Sequence, residues 1–165
     1  MSPCAGVGAT QAQDLYIRVD LLVPASAAGV VQAGPYFRSR AASPGDGIIG
    51  GSSAGYQVML TSQGEVRLRG LNPNAVIAIT GTTAQFDATV FHQLELVAKG
   101  QNLQAWLDGV AQTFTQNGST GTTVTLPATS GSNNGTVGLA FADEDNRGKA
   151  GGQRAKNLVV AQPGS

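Results

Sequence analysis

The acidic residues are the first candidates for chemistry, because glycoside hydrolysis uses two carboxylates that face each other about 5 to 9 Å apart. The chain has ten acidic residues. No two of them follow the E-x-D-x-x-E spacing that places carboxylates side by side along one strand. Glu65 and Glu95 each stand alone in predicted strands, among apolar and basic neighbours. The sequence therefore favours a protein without a catalytic carboxylate pair, in which these acids are solvated or paired with arginine.

The single histidine, His92, is the next candidate. A general base needs a carboxylate that orients it and a nucleophile that it activates. Asp87 and Ser39 have suitable chemistry, but no spacing links either of them to His92. We therefore interpret His92 as a packing residue at the start of a strand. With one histidine and one cysteine, Cys4, the sequence also lacks the clustered ligands of a zinc or redox-metal site.

An acidic loop, Asp143-Glu-Asp-Asn-Arg-Gly, precedes the last predicted strand. Ca²⁺ takes about 6 to 8 hard oxygen ligands, so Asp143, Asp145 and Asn146 are candidate calcium ligands. The alternative is a solvated loop that nearby basic residues neutralise. These basic residues are Arg147, Lys149 and Arg154. No other cofactor is indicated by the sequence.

A candidate binding face surrounds the single tryptophan. In the predicted strand over residues 103–107 the leucines fit the core, so Trp106 and Gln104 face the opposite way. The flat indole matches the C–H face of a sugar ring. Planar hydrogen-bond donors on neighbouring hairpins are predicted to complete this face: Arg38, Arg40, Gln57, Arg67 and Arg69. The alternative is that the arginines are ordinary surface residues and that Trp106 fills a gap under a loop.

Alternating apolar and polar residues predict the strands that position these side chains. Residues 15–22 alternate throughout and predict a long, half-buried strand. One hairpin is predicted around the turn Ser62-Gln-Gly, and another at Asp108-Gly109, whose residue types favour a two-residue turn. No helical period extends over ten residues. About ten or eleven short strands are therefore predicted, which indicates an all-β sandwich or barrel.

The inward positions of these strands define a predicted core within one domain. This domain covers residues 14–165 and follows a flexible leader over residues 1–13. The predicted core residues are Val58, Val66, Leu68, Leu94, Leu96, Leu103, Leu107, Val137, Leu139 and Val159.

Composition limits the class of protein. Charged residues make up only 12% of the chain, and ten basic residues balance ten acidic ones, so nothing favours nucleic acid or an anionic membrane as a partner. No stretch approaches the roughly 18 to 20 apolar residues of a membrane helix, so a soluble protein is expected. The 23 glycines suit tight turns and a protein that acts outside the cytoplasm. Cys4 is either a lipid attachment site left after signal removal or a residue near an arbitrary start.

Three stretches carry a family resemblance. The first contains Ala33-Gly-Pro-Tyr-Phe-Arg-Ser and Gly55-Tyr-Gln-Val-Met-Leu; the second contains Phe91-His-Gln-Leu-Glu-Leu and Leu103-Gln-Ala-Trp-Leu-Asp-Gly; the third contains Gly135-Thr-Val-Gly-Leu-Ala-Phe. In this order they resemble the concanavalin A-like jelly rolls, especially laminin-G-type domains and the bacterial 3-keto-disaccharide hydrolase-type domain. The resemblance implies an antiparallel two-sheet jelly-roll sandwich. It also implies a protein of sugar chemistry, either a binder or a glycoside-cleaving enzyme.

Three functions therefore remain open. The first is a non-catalytic carbohydrate-binding module of a secreted or surface protein, favoured by the outward tryptophan and the absence of an acid pair. The second is a structural or adhesive domain of a surface layer, filament or fibre, which a charge-poor composition rich in Gly, Thr and Ala would suit through self-association. The third is a glycoside-cleaving enzyme, implied by the resemblance alone. An extracellular or cell-surface location is expected, with the periplasm as the alternative.

Overall fold

The computed structural model describes residues 14–26, 29–40, 54–71, 74–83, 85–127, 136–143 and 152–163. At positions 39, 40, 54, 74, 136 and 143 it describes the backbone alone. The predicted leader over residues 1–13 lies outside the described residues. The strands are β1 (Leu15–Leu22), β2 (Val31–Arg40), β3 (Ala54–Thr61), β4 (Val66–Leu71), β5 (Asn74–Ile79), β6 (His92–Lys99), β7 (Asn102–Leu107), β8 (Val110–Ala111), β9 (Phe114–Gln116), β10 (Ser119–Gly121), β11 (Val124–Thr125), β12 (Thr136–Asp143) and β13 (Arg154–Ala161).

The strands form two antiparallel sheets. The six-stranded sheet has the order β11-β7-β6-β1-β13, with β8 paired to β7, and the seven-stranded sheet has the order β10-β9-β5-β4-β3-β2-β12. The chain crosses between them repeatedly: β1 belongs to the first sheet, β2 to β5 to the second, and β6 to β8 to the first again. The predicted all-β jelly-roll sandwich with two antiparallel sheets is confirmed. Within the described residues, no helix is long and apolar enough to cross a membrane.

Strict alternation in β1 gives this interior strand of the six-stranded sheet one buried side and one outer side. Its odd-numbered residues from Leu15 to Leu21 are buried, and the residues between them are partly exposed. β1 pairs with β6 on one side and with β13 on the other. The buried residues of β6 and the core-packed residues of β13 lie on the same side as those of β1, so the sheet has one core face and one outer face.

The core lies between the two sheets. Eight of the predicted core residues are buried there: Val58, Val66, Leu68, Leu94, Leu96, Leu103, Leu107 and Val137. Leu139 is partly buried and packs against the same cluster. Each fully buried aliphatic side chain of this kind stabilises the fold by about 1.5 to 3 kcal/mol relative to an exposed one.

The prediction that Val159 lies in the core is wrong. Val159 pairs with Arg18, whose side chain lies on the outer face, while Leu158 and Val160 pack against the core. The pairing of β1 with β13 shifts register between Arg18 and Asp20, and Asn157 has a φ of 56°. A bulge with a residue in the left-handed region moves the following side chains to the other face. Leu158-Val-Val-Ala is apolar throughout, so alternation could not reveal this shift.

Most turns lie where their residue types predicted them. Gly64, with a φ of 78°, donates its N–H to the Thr61 carbonyl at 3.0 Å and closes the β3–β4 hairpin. Asp108 and Gly109 both have positive φ, which matches the predicted two-residue turn. The region after Phe114 holds more structure than predicted, because Asn117 and Gly118 also take positive φ and join β9 to β10. This Asn-Gly pair is the sequence feature from which the extra hairpin could have been predicted.

Candidate functional site

Trp106 lies on the outer face of the six-stranded sheet, partly exposed. One row of paired residues crosses this face: Ala111 on β8, Trp106 on β7, Glu95 on β6, Arg18 on β1 and Val159 on β13. Directly opposed side chains in such rows lie about 4.5 to 5.5 Å apart at Cβ. The indole is therefore a direct neighbour of a carboxylate, and a guanidinium lies one strand further.

Hydrogen bonds hold the polar side chains around the indole in place. The Tyr16 hydroxyl donates to Glu95 Oε2 at 2.7 Å, and Gln104 Nε2 donates to Thr123 Oγ1 at 3.3 Å. Burial, followed by the bond to the Glu95 carboxylate, raises the pKa of Tyr16 above its ordinary value. We call the surface formed by Trp106, Gln104, Glu95, Arg18 and Tyr16 the Trp106 face.

A second polar surface lies on the seven-stranded sheet, on the side opposite the core. Tyr36 pairs with Gln57 and Gln57 with Arg69, and in the next row Met59 pairs with Arg67. These five residues alternate with core residues along β2, β3 and β4, so they point away from the core. We call this surface the Gln57 face. The side chains at its centre are largely buried: Gln57 is only 4% exposed and Met59 is fully buried.

The Gln57 face contains two buried donor atoms that bind nothing in the described part of the protein. These atoms are Gln57 Nε2 and Arg69 Nε. The neighbouring Arg67 differs, because its Nε donates to Glu65 Oε1 in an ion pair. An unsatisfied buried donor costs about 1 to 3 kcal/mol, so two of them side by side need an explanation.

The structure does not bring the predicted binding residues together. Trp106 and Gln104 lie on the outer face of the six-stranded sheet, whereas Gln57, Arg67 and Arg69 lie on the seven-stranded sheet. The prediction placed all of them on neighbouring hairpins. The β3–β4 and β6–β7 hairpins belong to different sheets, whose outward sides face in opposite directions across the core.

Arg38 also differs from the prediction of an outward side chain. It is 6% exposed, has a φ of 48° and donates from Nη1 to the Gly100 carbonyl at 2.7 Å. Gly100 belongs to the β6–β7 turn, and its N–H donates to Asp14 Oδ1 at 2.9 Å. Burial lowers the pKa of Arg38. Arg38 therefore links the two sheets at one end of the sandwich, while the side chain of Arg40 lies outside the described residues.

His92 lies at the start of β6, and both of its ring nitrogens are engaged. Nδ1 lies 2.7 Å from Asp108 Oδ2, and Nε2 lies 2.6 Å from the Asp87 carbonyl oxygen. The ring stacks on Phe86, with 4.3 Å between ring centroids. Both ring nitrogens therefore contact groups of the protein itself. The Asp108 partner was missed because the hairpin that brings it back to His92 separates the two by 16 residues.

Glu65 and Glu95 do not form a hydrolytic pair, because they lie at different sheets. Glu65 lies beside Arg67 near the seven-stranded sheet, and Glu95 lies in the six-stranded sheet. The side chain of Asp87 accepts two bonds from Thr89, which lower the pKa of Asp87.

The predicted calcium ligands are not tested by the structure. Asp145 and Asn146 lie outside the described residues, as does the side chain of Asp143 at the end of β12. The described residues contain no group of three or more His, Cys, Asp or Glu side chains that could hold a metal ion. Calcium therefore stays a prediction for the 143–146 loop.

The architecture defines the class of protein, an antiparallel jelly-roll sandwich with two sheets. The chain is similar to carbohydrate-binding module CBM66 from Bacillus subtilis, with 15% identity and a TM-score of 0.49 over 80% of this chain and 73% of that one. It is also similar to alginate lyase AlgAT5 from polysaccharide lyase family 7, with 13% identity and a TM-score of 0.37 over 91% of this chain and 59% of that one. Likeness at this level describes overall shape alone.

No protein-family model matches the chain, and no curated protein sequence matches it. The specific resemblance to the 3-keto-disaccharide hydrolase-type domain therefore stays a prediction, as does the extracellular location.

Proposed function

We propose that this protein is a non-catalytic carbohydrate-binding module and that the Trp106 face is its binding surface. One observation carries the proposal: the only tryptophan of the chain lies partly exposed on the outer side of a sheet, among polar side chains held by hydrogen bonds. A solvent-facing indole on a regular sheet presents a flat apolar surface. Such a surface complements the C–H face of a pyranose ring.

The neighbours of Trp106 suit the hydroxyl groups of a sugar. Glu95 can accept hydrogen bonds, Arg18 can donate them, and the amide of Gln104 can do both. The bond from Tyr16 to Glu95 holds the carboxylate in one orientation beside the indole. Preorganised groups lose little conformational entropy when a ligand binds, which favours affinity.

The geometry of the possible catalytic residues favours binding over cleavage. Glu65 and Glu95 are separated by the core of the sandwich, and both nitrogens of His92 are bonded to other parts of the protein. Hydrolysis would need two carboxyl groups across one sugar linkage. The enzyme alternative therefore has the weakest support of the three functions.

The experiment measures oligosaccharide binding by Trp106→Ala and by a control on the adjacent strand. A glycan array first identifies a ligand, and calorimetry then compares the variants. Covering about 60 Å² of the indole at about 25 cal/mol/Å² contributes about 1.5 kcal/mol, so Trp106→Ala should weaken affinity by about tenfold or more. Val110 is 65% exposed on β8, and Val110→Ala should leave affinity unchanged. Unchanged affinity in Trp106→Ala would show that the indole is not the platform.

Self-association is the second candidate function, and the edge strand β12 favours it. Within the described residues β12 pairs only with β2, and it carries Phe141 at 50% exposure between Ala140 and Ala142. Natural edge strands usually carry charges or bulges that prevent pairing between copies. β13, at the corresponding edge of the other sheet, carries Arg154 and Lys156, whereas the one charged residue of β12 is Asp143 at its end; the pairings of both strands contain a register shift. The contrast favours β12 as the edge at which two copies would meet.

A further inference from the structure

We propose a second binding site on the Gln57 face, in which Gln57 and Arg69 bind a monovalent oxyanion, namely the carboxylate or sulfate ester of an acidic glycan. The oxyanion is inferred from the residues of this face alone. That the oxyanion belongs to a glycan rests on the function proposed above. The site is independent of the Trp106 face, because the core of the sandwich separates the two surfaces.

The position of the two unbonded donors carries the inference. Gln57 and Arg69 are directly paired residues on β3 and β4, so their side chains leave the sheet next to each other. Gln57 Nε2 and Arg69 Nε are both buried, and neither has an acceptor in the described part of the protein. Proteins rarely leave buried donors unsatisfied unless a ligand, ion or water completes them. Two adjacent donors match the two oxygens of one anionic group.

Charge identifies the ligand as an anion with a single charge. Arg67 is neutralised by Glu65, whereas no ion pair of Arg69 exists among the described residues. A guanidinium at a partly buried position is unfavourable without a counter-charge. One uncompensated positive charge fits a carboxylate or a sulfate ester better than a phosphate monoester, which carries nearly two negative charges at neutral pH.

The surroundings of the donor pair suit a ring that carries the anion. Tyr36 is the direct partner of Gln57 on the side away from Arg69. Its ring lies against the backbone at Gly138, where a Cβ atom would overlap the ring. On the other side of Arg69, Val76 is 45% exposed and pairs with it. Tyr36 and Val76 are three strand spacings apart, about 14 Å at the usual spacing. Their side chains therefore flank the two donors on either side.

The test compares charged and neutral forms of the same oligosaccharide by calorimetry. The probes are a galacturonate trisaccharide, its methyl ester, and a sulfated disaccharide with its desulfated form. The wild-type protein should bind at least one charged probe, and neutralising that probe should weaken affinity by about tenfold or more, as expected for hydrogen bonds to a charged group. Which charged probe binds identifies the carboxylate or the sulfate ester as the source. Equal affinity for charged and neutral forms, or no binding of either charged probe, would overturn the proposal.

Variants assign the binding to the donor pair. Arg69→Gln removes the charge and Gln57→Leu removes the amide, and each should weaken binding of the charged probe by about tenfold. Arg154→Gln is the matched control, because Arg154 is exposed on β13 in the other sheet. The two sites can fail separately, because Arg69→Gln and Gln57→Leu are compared on the charged probe, whereas Trp106→Ala is compared on the ligand that the glycan array identifies. Loss of affinity in Arg154→Gln equal to that in Arg69→Gln would indicate nonspecific attraction and refute the site.

A second measurement does not depend on any glycan. Gln57→Glu places a carboxylate directly beside Arg69 and supplies the missing acceptor from the protein itself. This variant should melt at a higher temperature than the wild type and should no longer bind the charged probe. Gln57→Leu should not melt lower than the wild type, because it removes an unsatisfied donor. A fall in melting temperature for both variants would mean that the amide is already satisfied within the protein, and the proposal would be wrong.

Discussion

Asp108 offers the sharpest test of how the β6–β7 hairpin is held. Its Oδ2 lies 2.7 Å from His92 Nδ1, and its Oδ1 accepts the Gln93 N–H at 2.8 Å. Its backbone has a φ of 52°, in the left-handed region that alanine avoids. Asp108→Ala therefore removes two hydrogen bonds and introduces backbone strain in one step.

The size of the effect follows from these contacts. The side chain of Asp108 is half exposed, so each lost bond is worth about 1 kcal/mol rather than the higher value of a buried charged pair. A left-handed alanine adds about 1 to 2 kcal/mol. Asp108→Ala should lower the free energy of unfolding by about 3 kcal/mol, and Asp108→Gly by about 2 kcal/mol, since glycine adopts positive φ freely. Asp108→Asn should cost about 1 kcal/mol, because asparagine tolerates this φ and keeps an acceptor for Gln93.

Urea unfolding followed by tryptophan fluorescence measures these values, because the single tryptophan, Trp106, lies in the same hairpin. For a chain of this size, 3 kcal/mol corresponds to a fall of about 6 to 12 °C in melting temperature. The order of the three variants is the critical result. If glycine were as damaging as alanine, backbone strain would not contribute. If all three variants lay within about 0.5 kcal/mol of the wild type, the contacts of Asp108 would have no stabilising role.

Two further predictions use other parts of the structure. The pKa of Tyr16 is raised above 10.0, so the fold favours the neutral phenol; its contribution to stability is complete below pH 10 and is lost as the pH rises through the higher pKa of the folded state. An ultraviolet difference titration between wild type and Tyr16→Phe should show this tyrosine ionising above pH 10, and ionisation at or below pH 10 would contradict the role of Glu95. Phe141→Lys should abolish any self-association that mass photometry detects in the wild type, because it places a charge on the exposed edge strand β12. Oligomers that persist in this variant would place the contact elsewhere.

Most of the fold could be predicted, because the local pattern and the tertiary environment agree. β1 alternates over its full length, and its apolar residues are the ones buried. The Asp108-Gly109 turn is encoded by two residues whose conformational preferences favour positive φ. By contrast, the continuous apolar run at Leu158 has no alternation, so the bulge at Asn157 decides which residues enter the core.

The location of the candidate binding residues could be predicted only in part. Alternation correctly placed Trp106 opposite the leucines of β7, since this depends on one strand alone. Whether Trp106 and Arg69 share a surface depends on which sheet each hairpin joins, and local pattern contains no information on that point. The position of the Arg38 side chain could not be predicted from local pattern either. The positive φ of Arg38 interrupts the alternation of β2, and the acceptor of its guanidinium lies 62 residues away at Gly100.

The separation of the two polar faces has a physical consequence for recognition. Packed sheets stand about 10 Å apart, and the layer between them is filled by apolar side chains. A sugar ring on Trp106 therefore cannot also contact Arg69, so the two proposed sites would bind different ligands or distant parts of one polymer. Changes at residues more than about 7 to 10 Å apart, with no shared partners, are usually additive. The double variant Trp106→Ala, Arg69→Gln should accordingly lose, for each ligand, only what the corresponding single variant loses, whereas coupling between them would require a path through the core that neither set of contacts provides.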